Sequence, residues 1–429
     1  MKPKRTNHDQ GLLFEPRLSN QLDPKHELVL FSKLIDWDSL EKDLSIYFCK
    51  DKGAPAKPVR LITGILLLQH LYNLSDEKVI YGWRENPYWQ FFCGYDYLQW
   101  FFPIDPSSLS KWRQRLGETG LNRIFSSTVF CALDIGLVSP KSFETVIADT
   151  TVMPKNISFP TDSKLYFNSI NKLNFFARKF NISLRQTYKF LAKKAFRNVG
   201  RYTHCRKMKL ASRERKKLKT YLGRVRRDLE RELLDRPEVL LLVKPTFDVI
   251  DRILVQERDS KNKVYSLHEP SVECIAKGKA HKKYEFGCKA SIVLTHKECF
   301  VLNVKAFHGN PYDGHTLKEV LDNSEKLTGV AIKRAFADKG YKGHQAGTSR
   351  KVFLSGMRGL SIHFKKLLRR RSAIEPCIGH MKSDGKLSRN YLKGSLGDCF
   401  NAILCGIGHN ARMILRFLRG QRDQSAVFA

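Results

Sequence analysis

The chain has 429 residues, of which 42% are hydrophobic, and this is enough for a large core and two or three domains. Its 76 Lys and Arg residues against 42 Asp and Glu give a formal net charge of +34, which indicates a polyanionic partner, with nucleic acid as the leading candidate. The longest apolar run, Leu61 to Leu71, is interrupted by polar residues and is too short to span a membrane. The polar start after Met1 predicts no signal peptide.

The ten cysteines show no Cys-x-x-Cys spacing. This pattern favours neither a zinc ribbon nor a disulfide framework, so we expect reduced thiols and an intracellular, cytoplasmic protein.

Residues 1–140 are predicted to form an all-α N-terminal domain for DNA binding or assembly. Its helical candidates are Lys25–Cys49 and then, after a loop at Gly53–Pro58, the segments Leu61–Tyr72, Asp76–Arg84 and Pro106–Leu116. Ser75 is the predicted N-cap of the Asp76 helix, and Asp105 precedes the last helix, which has Pro106 at its first position. Short helices joined by tight turns suggest a helix-turn-helix-like module.

The last of these helices carries three basic residues beside Trp112, a combination suited to phosphate contacts with some reach to base edges. They are Lys111, Arg113 and Arg115. An aromatic cluster precedes this helix, between Tyr88 and Phe102. It could stack on bases, but we interpret it as the core of the small domain, because aromatic residues dominate cores.

Ser142–Val152 has the alternation and the β-branched residues of a strand, which places Ile147, Asp149 and Thr151 on one face. The plain interpretation of Asp149 is a buried, hydrogen-bonded structural residue. Asp338 follows a second short apolar run of strand type, far along the chain.

Residues 163–227 contain 11 Lys and 10 Arg against the single acid Glu214. We predict that this helical segment, within an insertion at 163–244, clamps the DNA backbone, because unpaired like charges repel one another unless phosphates neutralise them. The residues assigned to this contact are Arg197, Arg201, Arg206, Lys207, Lys209, Arg213 and Lys216. The alternative is that the seam Leu218–Leu229 packs on the catalytic core or on a second protomer, and that the charges are merely solvated.

After Pro245 the pattern returns to strands, and the order of elements predicts a mixed α/β fold, a sheet covered by helices. The predicted elements are a hairpin of Lys289–Thr295 and Cys299–Phe307, a helix at His315–Lys326 begun by Asp313, strands at Ala331–Ala337 and Val352–Leu354, and an apolar helix at Cys399–Leu418. The predicted catalytic domain comprises 141–162 and 245–420, followed by a tail at 421–429.

On a helix, Arg371, Glu375 and Lys382 project from one narrow face. An ordinary surface ion pair is the plain interpretation of Arg371 and Glu375. Because Pro376 disfavours a long helix through this point, we place the start of the helix near Ser372, which makes the alignment of Arg371 approximate. Together with Asp149 and Asp338, Glu375 nevertheless completes the three acids that a two-metal phosphoryl-transfer site requires.

These motifs resemble the DDE transposases of bacterial insertion sequences, specifically the insertion sequence 5 family. The resemblance covers nearly the whole chain and rests on Arg371-x3-Glu375-x6-Lys382, on Asp338-Lys-Gly-Tyr341 and on Asp149-Thr-Thr. Further similar stretches are Phe159–Leu165, Glu285–Gly287, Gly309–Leu317 and Arg389–Gly394. The resemblance implies a ribonuclease-H-like catalytic domain, a divalent metal and cut-and-paste transposition of the encoding element.

The resemblance also implies roles for individual residues. Two Mg²⁺ or Mn²⁺ ions would be held by Asp149 as the bridging ligand, with Asp338 and Glu375 each completing one ion. Arg371 and Lys382 are expected to bind DNA phosphates. Tyr341 is expected to position a phosphate or to pack the active-site loop.

The implied partners are double-stranded DNA, at terminal inverted repeats and at the target, and a second protomer in a synaptic homodimer. The expected location is the nucleoid of a bacterial cytoplasm. Two other functions stay open: a transposase-derived DNA-binding protein or repressor without cleavage activity, and a ribonuclease-H-like nuclease that processes RNA.

Overall fold

The computed structural model describes residues 15–48, 56–257, 259–276, 283–347 and 349–427, with side chains up to residue 423. Cys49, residues 53–55 of the predicted loop at 53–58 and residues 428–429 of the predicted tail lie outside these ranges. The chain forms two compact units. The first contains Met1–Pro154 and Cys288–Ala429, and the second contains Lys155–Gly287.

The first unit begins with helices. They are α1 (Leu18–Gln21), α2 (Glu27–Leu34), α3 (Trp37–Leu44), α4 (Val59–Leu71), α5 (Asp76–Glu85), α6 (Pro87–Phe92), α7 (Ser107–Asp134) and α8 (Pro140–Phe143). The hydroxyl of Ser75 accepts a hydrogen bond from the Lys78 amide, as predicted for the cap of α5. Helix α4 is buried on every side except at Arg60, which fits its mostly apolar sequence.

One prediction for this region was wrong in detail, and another was confirmed. The segment Lys25–Cys49 is not one helix, because the Asp36 carboxylate accepts a hydrogen bond from the Ser39 amide and starts a new helix, α3. The helix predicted to end at Leu116 does end there, because Gly117 has a φ of 61° and a ψ of −168°, which are not helical but are open to glycine, and a second helical segment of α7 then continues to Asp134.

The aromatic cluster is only partly a core. Trp89 and Phe92 are buried, whereas Trp100, Phe101 and Phe102 are exposed. The core interpretation therefore fails for these last three rings. Within the described part of the chain, no helix is both long enough and apolar enough to cross a membrane.

Strand β1 (Thr145–Pro154) ends the N-terminal part of the first unit. The second unit follows, with helices α9 (Asp162–Lys179), α10 (Lys189–His204), α11 (Met208–Leu233) and α12 (Pro237–Val255), then strand β2 (Glu273–Ala276), which pairs with the first residues of β3 (Tyr284–Thr295).

The seam Leu218, Leu222, Val225 and Leu229 of α11 is fully buried in the core of this second unit, where α11 packs on α9, α10 and α12. The seam is therefore not a free surface for the catalytic core or for a second protomer. Pro245 does not end the helical region either, since α12 runs through it. Burial of Val243, Phe247 and Ile250 holds the helix together despite the hydrogen bond that proline removes.

The rest of the first unit completes the sheet and covers it with helices. The elements are β4 (Val301–Phe307), α13 (Asp313–Thr328), β5 (Arg334–Ala337), β6 (Lys351–Leu354), α14 (Ile362–Arg369), α15 (Ile374–Ser383) and α16 (Gly394–Val427). Helix α16 thus continues into the segment predicted as a tail. It packs on α4, α7 and β4, where the Asn410 amide bonds both backbone groups of Val301.

In the sheet, β3 neighbours β1, β1 pairs with β5, and β5 pairs with β6, while β4 also pairs with β3. The β3–β4 pair is the predicted antiparallel hairpin, and the β1–β5 and β5–β6 pairs are parallel. The sheet covered by helices confirms the predicted mixed α/β class. Parallel β1 and β5 also bring two distant segments of the chain side by side.

Candidate active site

The sheet places the two predicted aspartates next to each other. In the β1–β5 register Ile147 lies opposite Phe336, and Asp149 and Asp338 each come two residues later. Neighbouring strands are about 4.8 Å apart, so the two aspartates lie side by side at the same position along the two strands. Asp149 lies in the middle of β1, whereas Asp338 follows directly on the last residue of β5.

The third acid joins them through Arg371. The Arg371 guanidinium lies 3.7 Å from Oδ2 of Asp149 and 4.0 Å from Oδ1 of Asp338. It also lies 3.6 Å from Oε1 of Glu375. The three carboxylates therefore surround one largely buried cation, although they come from three separate parts of the chain.

The local backbone explains how Arg371 reaches this position. Residues Arg370–Ala373 form a 3₁₀ turn, and α15 begins at Ile374, close to the predicted start. Pro376 therefore falls in the first turn of α15, where its missing N–H removes no helical hydrogen bond. The neighbouring Arg370 donates from Nε to the His296 carbonyl oxygen at 2.8 Å, which fixes the turn against the β3–β4 hairpin.

The three carboxylates differ in exposure. The Asp149 side chain is 20% exposed, whereas those of Asp338 and Glu375 are 53% and 66% exposed. Burial raises the pKa of Asp149 to about 6, and the Asp338 charge adds to that shift. The Thr150 N–H bond of 2.8 Å and the Arg371 cation act in the opposite direction on this pKa. Asp149 is thus the enclosed acid, and the other two face solvent.

Sequence reasoning missed a second layer behind Asp149. The Thr150 hydroxyl donates to Oδ1 of Asp313 at 2.9 Å, and Lys289 Nζ lies 2.8 Å from the same oxygen. Asp313 was predicted to cap α13, but it is the first residue of that helix, and its carboxylate bonds to strands instead. The available signal was the Gly309–Leu317 motif, which contains Asp313.

The two remaining residues assigned to this site differ in their surroundings. Tyr341 is 1% exposed, and burial raises the pKa of its hydroxyl well above the ordinary value. This favours the packing role over a direct phosphate contact. Lys382 lies about two turns beyond Glu375 on α15 and is half-buried.

The three basic residues of α7 do not share one environment. Lys111 and Arg115 are exposed, and the Arg115 guanidinium lies 5.2 Å from the Trp112 ring centroid. Arg113 is buried, and its guanidinium binds both carboxylate oxygens of Asp76. Its predicted DNA contact is therefore corrected to a structural ion pair, because a paired and enclosed guanidinium cannot reach a phosphate.

All seven basic residues assigned to the DNA backbone in the second unit are exposed. The acid among them, Glu214, is buried and bound to Lys217 at 2.6 Å, so it does not neutralise the seven. The second unit therefore presents uncompensated positive charge on α10 and on the start of α11.

One further group of possible metal ligands occurs among the described residues: Cys288, His308 and Asp398, with ligand atoms within 4.8 Å of one another. Nε2 of His308 already bonds Asp398 at 3.0 Å, and the other Asp398 oxygen accepts from Asn390 at 2.7 Å. Hydrogen bonds thus account for the approach of His308 to Asp398. Nine cysteines fall in the described ranges, and all nine are free thiols.

Two family models match the chain over the regions that hold these features. Residues 16–115 match a transposase domain (DUF772), and residues 264–398 match a transposase DDE domain, a span that includes Asp338 and Glu375. The chain belongs to the DDE insertion-sequence transposases. It is an enzyme of that class, which implies a DNA substrate and dependence on a divalent metal.

This DDE transposase is also similar to a protein of Rhizobium meliloti named "Uncharacterized protein ORF8 in nfe locus". The two are 41% identical over 206 residues, which are 48% of this chain and 99% of the relative. No solved structure matches the transposase.

Proposed function

We propose that this transposase cuts DNA at the ends of its insertion sequence and joins those ends to target DNA, moving the element by cut and paste. The observation that carries the proposal is the gathering of Asp149, Asp338 and Glu375 around Arg371. A nuclease or transferase acting on a phosphodiester needs carboxylates for metal and a cation for phosphate at one point.

The donor set fits Mg²⁺ or Mn²⁺. All three acids offer oxygen ligands, which these hard cations prefer over nitrogen or sulfur. Two of the carboxylates are more than half exposed, and so are open to a hydrated ion and a substrate phosphate. We assign Asp149 as the ligand shared by two ions, with Asp338 and Glu375 each completing one. Such ions activate the attacking oxygen and stabilise the leaving 3′-oxygen.

The side chains of the chain itself bind and orient the DNA strand. Arg371 is placed to bind a non-bridging phosphate oxygen and to offset the negative charge that grows in the transition state. Lys382, further along α15, would hold a neighbouring phosphate. The Thr150–Asp313–Lys289 hydrogen bonds fix the strand around Asp149, so that its carboxylate is oriented before substrate binds.

The strand arrangement supports a ribonuclease-H-like catalytic domain, with antiparallel β3 and β4 beside parallel β1, β5 and β6. The quoted motifs support membership of the insertion sequence 5 family. We further propose an N-terminal domain that binds the element ends, a DNA clamp in the basic insertion, and a homodimer that joins two ends. This protein would act on the nucleoid in a bacterial cytoplasm.

The test is nicking of a labelled duplex that carries the terminal inverted repeats, with Mg²⁺, with Mn²⁺ and with EDTA. The repeats themselves should flank the reading frame. We expect strand-specific nicking at the repeats in either metal and none in EDTA. Repeat binding without nicking would indicate a transposase-derived repressor. Preferential cleavage of single-stranded RNA would indicate an RNA-processing nuclease.

A further inference from the structure

A large groove in the first unit has no role in the proposed site. Its volume is about 1240 Å³, and its walls include the start of α5, the stretch Ser110–Gln114 of α7 and the segment Gly385–Gly397, which follows α15 and contains the first residues of α16. This segment contains Arg389–Gly394, one of the stretches on which the family resemblance rests. The volume exceeds the roughly 300–1,000 Å³ of pockets that hold one drug-sized ligand.

The charge of the groove favours an anion. At one wall Asp76 is neutralised by Arg113 and accepts from the Gln69 amide at 2.5 Å. Of the other charged residues lining the groove, only Glu77 is acidic. The basic ones are Lys78, Lys386, Arg389 and Lys393. Four cations against one unpaired acid suit a phosphate backbone.

The groove also exposes apolar surface among these cations. Tyr391 and Leu396 are each 62% exposed, and the Arg389 guanidinium lies 5.7 Å from the Tyr391 ring centroid. An exposed tyrosine ring among cations is suited to stack on a nucleobase whose phosphates the cations bind. Bases inside a duplex hide their faces from such a ring, so the fitting ligand is an unpaired nucleotide.

The segment is bonded to the end of the strand that carries Asp149. The Asn390 amide N–H donates to the Pro154 carbonyl oxygen at 2.7 Å, at the end of β1. The Asn390 side chain accepts from the Leu392 amide at 2.9 Å and donates to Asp398. Pro154 follows Asp149 by five residues in a strand, which is about 17 Å. A DNA strand covers that distance in about five nucleotides.

We propose that this groove binds an unpaired segment of the DNA strand within about five nucleotides of the cleaved phosphate. A base stacks on Tyr391, and the adjoining phosphates bind Lys386, Arg389 and Lys393. This inference rests on the proposed function, because it names a subsite for the DNA strand that the three acids cut. Other surfaces of the protein bind the paired duplex further from the cut.

The test measures binding, in EDTA, of end duplexes that are fully paired or that carry an unpaired segment of five nucleotides next to the cut. The variants are Tyr391→Ala, Tyr391→Phe and, as a control, Tyr81→Ala, an exposed tyrosine of α5 that does not line the groove. Tyr391→Ala should weaken binding of the unpaired substrate about tenfold and change the paired one less than about twofold. Tyr391→Phe and Tyr81→Ala should both bind the unpaired substrate with the affinity of wild type.

A scan with single abasic sites identifies the base that stacks. At one position within about five nucleotides of the cut, the abasic site should weaken binding by wild type and add no loss in Tyr391→Ala. Equal losses on paired and unpaired substrates, or a scan without such a position, would overturn the groove proposal. Wild-type nicking of the same ends in Mg²⁺ reports separately on the proposed function.

Discussion

Nη1 of Arg371 lies 3.7 Å from Oδ2 of Asp149, and this contact joins the turn before α15 to the central strand β1. The guanidinium reaches the other two acids as well, so a single side chain is in contact with every proposed metal ligand. Substitution of Arg371 therefore tests whether the cation serves the substrate or only the folded structure.

Arg371→Ala should lower the rate of single-turnover nicking about 10²-fold, the size expected when one group that stabilises transition-state charge is lost. Arg371→Lys keeps the charge but not the planar fork, so we expect a smaller loss. The measurement is nicking at saturating DNA and metal, with thermal unfolding as the control for folding. Equal rates for wild type and Arg371→Ala would show that this side chain takes no part in the reaction.

The raised pKa of Asp149 predicts a pH-dependent stability difference. Since its folded pKa of about 6 lies above the ordinary value of about 3.9, ionisation of Asp149 costs stability as pH rises through 6. In EDTA near pH 7.5, the free energy of unfolding of Asp149→Asn should therefore be about 1–3 kcal/mol higher than that of wild type. This difference should shrink as the pH falls toward 4.

Chemical denaturation across this pH range measures the effect. Glu41→Gln is the matched control, because it removes an exposed carboxylate of α3 that is not among the charges acting on Asp149. A stability difference for Asp149→Asn that does not change with pH would contradict the assignment of burial as the dominant cause.

The exposed basic residues of the second unit predict salt-dependent binding without sequence preference. Replacing Arg197, Arg201, Arg206 and Arg213 by Gln should weaken binding to terminal repeats and random DNA alike. The slope of log affinity against log salt should fall by up to about 0.9 per lost phosphate contact. The same four residues changed to Lys form the control, since charge is retained. An unchanged slope in the Gln variant would refute the clamp.

The buried seam of α11 predicts a loss of stability from Leu222→Ala. Because Leu222 is fully buried among α9, α10 and α12, the change should cost about 2–5 kcal/mol in unfolding of the second unit. Lys219→Ala, on the exposed face of the same helix, should cost little. Denaturation and sedimentation of both variants would separate the roles. If Leu222→Ala dissociated a dimer without lowering the free energy of unfolding, the seam would instead form an interface between protomers.

Local patterns in the sequence predicted the elements that carry the acids. The strand around Asp149, the β3–β4 hairpin and the helix after Arg371 are specified by alternation, turns and the position of Pro376. Asp149 and Asp338 lie in or just after short apolar runs, and Glu375 lies between two cations on one predicted helix face. These patterns suit metal and phosphate chemistry, and the fold brings the three acids together around Arg371.

Long-range pairing was not predictable in the same way. Arg113 looks like a surface cation until Asp76, from another helix, is seen to bind it. Asp313 gave a capping signal and lies in the Gly309–Leu317 motif, but neither signal identifies its partners Thr150 and Lys289, which come from two distant strands. The exposure of Trp100 and its neighbours depends on tertiary packing, which composition alone does not encode.

The most direct test of the account compares metal-dependent nicking and end binding for Asp149→Ala, Asp338→Ala and Glu375→Ala. Metal ligands act mainly on the transition state, whereas affinity comes mainly from basic groups, so the two activities should separate. We predict that each variant loses nicking by about 10³-fold or more while its affinity for end DNA stays within about threefold of wild type. Near-normal nicking by any one of the three would contradict the assignment of that residue to the metal site.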